Sequence, residues 1–88
     1  MIDAYILEAL RSPRTNAEES GGLYELTPSD LLAQLYYALV LRTQVDSFLL
    51  SEIILDCVTQ QGEQAKNIAK TSALRAGWPA SIAGLMVN

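Results

Sequence analysis

Cysteine is the side chain in this sequence best suited to covalent chemistry, and the 88 residues contain one, Cys57, and no histidine. A nucleophilic thiol needs a neighbouring base to activate it, and these residues cannot form a cysteine–histidine pair. Cys57 also lies within the apolar run 53–58, where a thiol packs as a small hydrophobic group. We therefore interpret Cys57 as a structural cysteine and assign no catalytic residue to the chain.

The sequence lacks the patterns that hold metal ions or phosphate groups. Zinc sites use clusters of cysteine and histidine, which cannot be assembled here. Gly21 and Gly22 follow no predicted strand, and Gly62 stands alone, so the glycines do not form a phosphate-binding loop. We expect no metal and no cofactor in this chain.

Three acidic residues, Glu8, Glu52 and Asp56, lie on or beside predicted strands. Acid–base catalysis would require two of them to converge in a cleft, which the sequence alone does not show. Solvation of the strand ends is the interpretation that we favour.

A polar cluster follows the second predicted strand and opens the second predicted helix. Its candidate residues for an interface, or for the border of an active site, are Gln60, Glu63, Gln64 and Asn67. Open α/β sheets place ligands and interfaces at this position, and side-chain amides can bond to a partner's backbone. An ordinary polar turn, with Glu63 favoured by the helix dipole, explains the same residue types. The residue types alone leave both interpretations open.

Length and composition indicate at most one small domain. Its apolar surplus fits a well-packed small domain, but we favour the interpretation that part of its apolar surface faces another chain or further sequence. Hydrophobic residues make up 50% and charged residues 18% of the chain, which is an apolar balance for its size. The net charge is −4 and the basic residues are scattered, so we expect no nucleic-acid partner. No run approaches a membrane span, and the unpaired cysteine favours a reducing cytoplasm.

Local signals predict the order β-α-β-α-β, an α/β fold with a mainly parallel sheet. Thr27 is a good N-cap, Pro28 suits the first helical position, and Gly77 provides a left-handed cap before Pro79. The predicted strands cover about 3–10, 52–58 and 83–87, the helices about 28–44 and 63–76, and a loop covers 12–26.

Five strings, spread in order along the chain, match the patterns of one enzyme family. They are DAYILEALRSP at 3–13, LTPSDLLA at 26–33, CVTQQGEQ at 57–64 followed by NIAK at 67–70, AGWP at 76–79, and VN at 87–88. Together they resemble the thiolase family of acetyl-CoA acetyltransferases and acyltransferases. One departure is Asp56, where the family usually has glycine.

The resemblance implies the N-terminal part of a thiolase. Such enzymes have two duplicated α/β halves, assemble as dimers or tetramers, and transfer acyl groups between coenzyme A thioesters through an acyl-cysteine. By this likeness, residues 59–67 lie at a dimer interface bordering the active site, and the nucleophile comes a few residues after Asn88. We therefore expect the chain to be inactive alone, with a second copy or a complementary thiolase chain as partner. The alternative is a non-catalytic interaction module that retains the interface.

Overall fold

The computed structural model describes residues 3–15, 20–23 and 25–87, except for the side chain of Glu63. Its regular elements are helix α1 (Pro28–Thr43), strand β1 (Glu52–Asp56), helix α2 (Ile68–Arg75) and strand β2 (Ala83–Val87). The strands pair in parallel as a two-stranded sheet, from Glu52 opposite Ala83 to Asp56 opposite Val87. Helices and a parallel sheet confirm the α/β class.

Helix α1 begins and ends close to the predicted positions because both of its caps are present in the sequence. The Thr27 hydroxyl accepts a hydrogen bond from the backbone N–H of Asp30 at 3.2 Å, and Pro28 occupies the first turn. At the other end Gln44 adopts a left-handed backbone with φ 60° and donates its N–H to the carbonyl of Val40 at 2.8 Å. These contacts satisfy backbone groups that a helix end leaves unpaired.

The second helix is shorter than the predicted 63–76. A 3₁₀ turn occupies Gly62–Ala65, and Asn67, with φ 47°, separates this turn from α2. The Asn67 side chain caps α2 by accepting the Lys70 N–H, so the α-helix starts after it. The C-terminal end is as predicted: Gly77 has φ 80°, its N–H bonds to Leu74, and the N–H of Trp78 bonds to the Ala73 carbonyl at 3.0 Å. Those two bonds define a Schellman motif.

The buried core lies where α2 meets α1 and the sheet. The buried side chains of α2 are Ile68, Ala69, Ser72 and Ala73. On α1, Tyr36 is buried and stacks on Trp78 with ring centroids 4.7 Å apart, and its hydroxyl is hydrogen-bonded to Ser72. Small residues on α2 therefore let it pack closely between its neighbours.

The prediction of a first strand at 3–10 differs from the structure, in which residues 3–15 form neither helix nor strand. The side chains of Tyr5, Ile6 and Leu7 are 79%, 91% and 73% exposed. A strand exists only when its backbone pairs with a neighbour, and residues 3–15 make no backbone pair with β1 or β2. An apolar run identifies a segment able to form a strand but not the partner that it requires.

The other predicted boundaries need smaller corrections. Strand β1 ends at Asp56, so Cys57 and Val58 lie beyond it, whereas β2 occupies the predicted 83–87. The described parts of the predicted loop 12–26 contain turns and irregular backbone. Among the described residues, no helix has the length and apolar character needed to cross a bilayer.

Candidate functional site

The candidate site is the connection 57–67, which runs from the carboxyl end of β1 to the start of α2. The backbone N–H of Cys57 donates to the carbonyl of Val87 at 2.9 Å, which fixes the beginning of the connection to the end of β2. Because β1 and β2 are parallel, the carboxyl ends of both strands lie at this edge of the sheet. This is the part of an open α/β sheet where ligands commonly bind.

Cys57 is half-buried and its sulfur has two polar neighbours. The Sγ atom donates to the Thr59 carbonyl at 3.4 Å and accepts from Gln64 Nε2, also at 3.4 Å. It borders an apolar groove, whose other lining residues are Pro28, Leu31, Leu32, Leu55, Asp56, Gln64 and Ile68. The two groups that contact Sγ, the Thr59 carbonyl and the Gln64 amide, are neither cations nor bases able to activate the thiol. The geometry is that expected of a structural cysteine, and the role itself stays a prediction.

The two glutamines of the polar cluster hold the connection together. Gln64 Nε2 donates to the Thr59 carbonyl at 2.5 Å, and Gln60 Nε2 donates to the Cys57 carbonyl at 3.5 Å. Gln64 is half-buried, whereas Gln60 is exposed. Both side-chain amides therefore donate to carbonyls of their own loop. Bonds of this kind are those of an ordinary polar turn, and a role at an interface stays a prediction.

Asn67 lies at the far end of the connection and contacts the sheet. Its Nδ2 donates to the Gly84 carbonyl at 3.0 Å, while its Oδ1 accepts the Lys70 N–H at 3.3 Å. These bonds join the first turn of α2 to Gly84, the second residue of β2. The side chain of Glu63 lies outside the described residues, so the fourth member of the predicted cluster is not located relative to the others.

Gly84 explains why α2 can approach β2 so closely. A Cβ atom at this position would lie 2.9 Å from the Lys70 nitrogen and 3.2 Å from Asn67 Oδ1. Those separations are shorter than van der Waals contact, so only glycine fits without a shift of the helix. The requirement for glycine at position 84 was missed in the sequence, where no local pattern identifies a close approach between a helix and a strand.

Lys70 lies in the first turn of α2, and no specific contact is predicted for it from the sequence. In the structure its Nζ donates to the backbone carbonyls of Ala80 and Ile82. It therefore fixes the turn that leads from α2 into β2. A lysine followed by a turn is too common a pattern to have identified this role.

In the described part of the chain, polar side chains lie at the carboxyl ends of β1 and β2, but no pair of a nucleophile and a base is found among them. This part contains no group of three or more side chains able to hold a metal ion. Among the described side chains, the amides of Gln60 and Gln64 bond within the loop, and Cys57 Sγ contacts the Thr59 carbonyl and Gln64. That the chain supplies no nucleophile of its own stays a prediction.

Comparison with known proteins identifies the family. Residues 4–88 match the model of the thiolase N-terminal domain. The chain is 35% identical over its whole length to a steroid 3-ketoacyl-CoA thiolase of Mycobacterium tuberculosis, of which it covers 21%. It is 38% identical over 98% of its length to a beta-ketoadipyl-CoA thiolase of Pseudomonas knackmussii, of which it also covers 21%. A 3-ketoacyl-CoA thiolase of Idiomarina loihiensis is 38% identical over the whole chain, which covers 23% of that enzyme.

The chain thus spans about a fifth of the length of the curated relatives it matches. The match extends through every string in the sequence that resembled the family, apart from the first residue of the first string. Both the full-length similarity and the parallel α/β fold agree with the resemblance. The chain belongs to the thiolase family and matches its N-terminal domain over residues 4–88.

Proposed function

We propose that these residues are the N-terminal part of a thiolase-type acyltransferase that moves acyl groups between coenzyme A thioesters. The observation that carries the proposal is the similarity over 4–88 to proteins whose names are those of thiolases acting on 3-ketoacyl-CoA compounds. The coenzyme A thioester would be a substrate and not a resident cofactor. The presence of an unpaired cysteine supports a cytoplasmic location as part of the same proposal.

The residues present supply the scaffold of the site but not its reacting groups. Acyl transfer through an acyl-cysteine requires an activated thiolate and donors that stabilise the oxyanion. Here the thiol of Cys57 is half-buried and bonded within its own loop, and the sequence contains no histidine. Catalysis therefore needs groups supplied by further polypeptide, such as a complementary thiolase chain.

Complementation tests this proposal directly. The 88-residue chain would be mixed with a polypeptide carrying the remaining part of the Pseudomonas knackmussii relative, and thiolysis of a 3-ketoacyl-CoA would be followed spectroscopically. We expect no turnover above buffer for either part alone and restored turnover for the mixture. The variant Cys57→Ser should support the same restored rate. Two results would contradict the proposal that the reacting groups lie on further polypeptide. They are turnover by the 88 residues alone, and loss of the restored turnover when the mixture contains Cys57→Ser.

A second function, a non-catalytic interaction module, is favoured by the apolar surface that the fold leaves exposed. Large exposed side chains include Ile54, Val58 and Leu85 on and beside the sheet. Light scattering across a dilution series distinguishes the two functions. A module of this kind should give one discrete oligomer at all concentrations, whereas the scaffold proposed above should associate stably only with its complement.

A further inference from the structure

The contact between α2 and β2 includes a methionine sulfur at the start of the helix. Met86 is half-buried, and its Sδ accepts a hydrogen bond from the Ala69 N–H at 3.4 Å. Ala69 lies in the first turn of α2, where backbone N–H groups have no partner within the helix. The next two N–H groups, those of Lys70 and Thr71, bond to the Asn67 carbonyl. The sulfur therefore serves as an acceptor at the helix N-terminus, although a thioether is a weak one.

The surroundings of this sulfur leave little room for a larger group. Ala69 is 0% exposed, and Ile68 beside it is 2% exposed. Gly84 lies on the same side of β2 as Met86, because side chains alternate along a strand. It approaches α2 so closely that a Cβ atom there would lie 2.9 Å from the Lys70 nitrogen. One additional heavy atom on the sulfur therefore has to displace the methionine side chain or the helix.

Oxidation of the thioether adds such an atom. A sulfur lone pair attacks hydrogen peroxide, an S–O bond forms while the O–O bond breaks, and one water molecule leaves. The sulfur loses two electrons and the peroxide gains them. The product, methionine sulfoxide, is polar and chiral and disrupts the packing of a core. Because Met86 is half-buried and not fully enclosed, a molecule as small as hydrogen peroxide can reach it.

We propose that Met86 is a modification site, and that reversible oxidation of its sulfur by hydrogen peroxide weakens the contact between the start of α2 and β2. The effect extends to the connection 57–67, because Asn67, its last residue, bonds to both Gly84 and Lys70. A methionine sulfoxide reductase reverses the step. The sulfoxide oxygen leaves as water, and the two electrons and two protons come from a dithiol, which becomes a disulfide. The inference goes beyond the proposed function, since no step in it involves acyl transfer.

Mild oxidation of the 88-residue chain tests the inference. The folded chain is treated with hydrogen peroxide, and peptide mass spectrometry distinguishes oxygen added at Met86 from oxygen added at Met1, the other methionine in the sequence. NMR then compares the oxidised with the untreated protein. We expect a shift of the Ala69 amide signal and hydrogen exchange about tenfold faster for the amides of α2, because overpacking loosens this contact. Treatment with a dithiol and two methionine sulfoxide reductases, one for each sulfoxide epimer, should restore both.

Matched variants separate Met86 from other groups that peroxide oxidises. M86L keeps a similar side-chain volume but has no sulfur, so peroxide should leave the exchange of its α2 amides as it is in untreated M86L. C57S removes the thiol, which peroxide also attacks, and should respond as the unaltered chain does. M86Q places a polar amide at the same position, and it should show the faster exchange without any peroxide.

Four results would overturn the inference. The first is that Met86 gains oxygen only after the chain has been unfolded in urea, which would show that the sulfur is out of reach. The second is complete oxidation of Met86 with an unchanged Ala69 signal and unchanged exchange in α2. The third is equal acceleration of exchange in peroxide-treated M86L, which would place the damage at another residue. The fourth is faster exchange that persists after the reductases have removed the oxygen, because the modification would then not be reversible.

Discussion

Asn67 combines a left-handed backbone with two side-chain hydrogen bonds, one to the first turn of α2 and one to β2. Its importance comes from this combination, since asparagine tolerates positive φ better than most residues and its amide can both donate and accept. Resemblance to the family placed Asn67 at an interface or an active-site border. The contacts within the chain show that it also has a structural task that does not require a partner.

Replacing Asn67 by alanine should destabilise the fold more than replacing it by glycine. Alanine loses the cap and both hydrogen bonds and resists φ 47°, a total of about 2 kcal/mol, whereas glycine accepts the backbone and should cost about 1 kcal/mol. Urea unfolding followed by circular dichroism measures both values. Equal losses for the two variants would show that the backbone conformation contributes nothing.

Gly84 should not accept even one additional methyl group. In G84A the new Cβ would press on the backbone nitrogen of Lys70, and overpacking of this kind costs about 1–3 kcal/mol. The matched control is G22A, where an added Cβ meets no atom within 4 Å. The same unfolding measurement compares them, and a G84A variant as stable as G22A would refute the close packing of α2 on β2.

At the scale of elements, local sequence signals predicted a helix end correctly where residues next to that end cap it. Thr27 and Pro28 set the start of α1, and Gly77 set the end of α2, as their types predict. The start of α2 was misplaced because the capping residue, Asn67, lies inside a run that is otherwise compatible with a helix. The first strand could not be established from the sequence, because a strand depends on a pairing partner. The position of the connection 57–67 could be predicted, whereas the hydrogen bonds within it could not.

The N-cap of α1 provides a test at this scale. T27A removes the acceptor for the Asp30 N–H and should lower the free energy of unfolding by about 1 kcal/mol. T71A changes the same residue type at an exposed position of α2 and should alter stability by less than about 0.5 kcal/mol. Thermal unfolding of the two variants side by side is the measurement, and an unchanged T27A would argue against the cap.

For the whole molecule, the described parts divide into a core around α2 and an opening segment, 3–15, that lies outside the sheet. Arg42 of α1 contacts Glu8 in this segment at 3.2 Å, but both partners retain solvent access, so the pair contributes little. Apolar side chains are exposed on the segment and on the sheet, among them Tyr5, Ile54 and Leu85. Such surfaces support the proposal that the chain associates with further polypeptide.

Limited trypsin digestion distinguishes the two parts. Cleavage should occur first after Arg11 and Arg14, which lie in irregular backbone, and much later after Lys70 and Arg75 in α2. Mass spectrometry of timed samples gives the order of cuts. Cleavage at the α2 sites as fast as at Arg11 would show that the core is not closed in the isolated chain.

We propose that acyl transfer uses a nucleophile from further polypeptide and not the thiol of Cys57. The most direct measurement is to incubate the complemented mixture with isotopically labelled acetyl-CoA, quench it, and locate the acetyl group by peptide mass spectrometry. We expect label on a cysteine of the complementary polypeptide and none on Cys57. Label on Cys57, or labelling of the 88 residues without their complement, would contradict it.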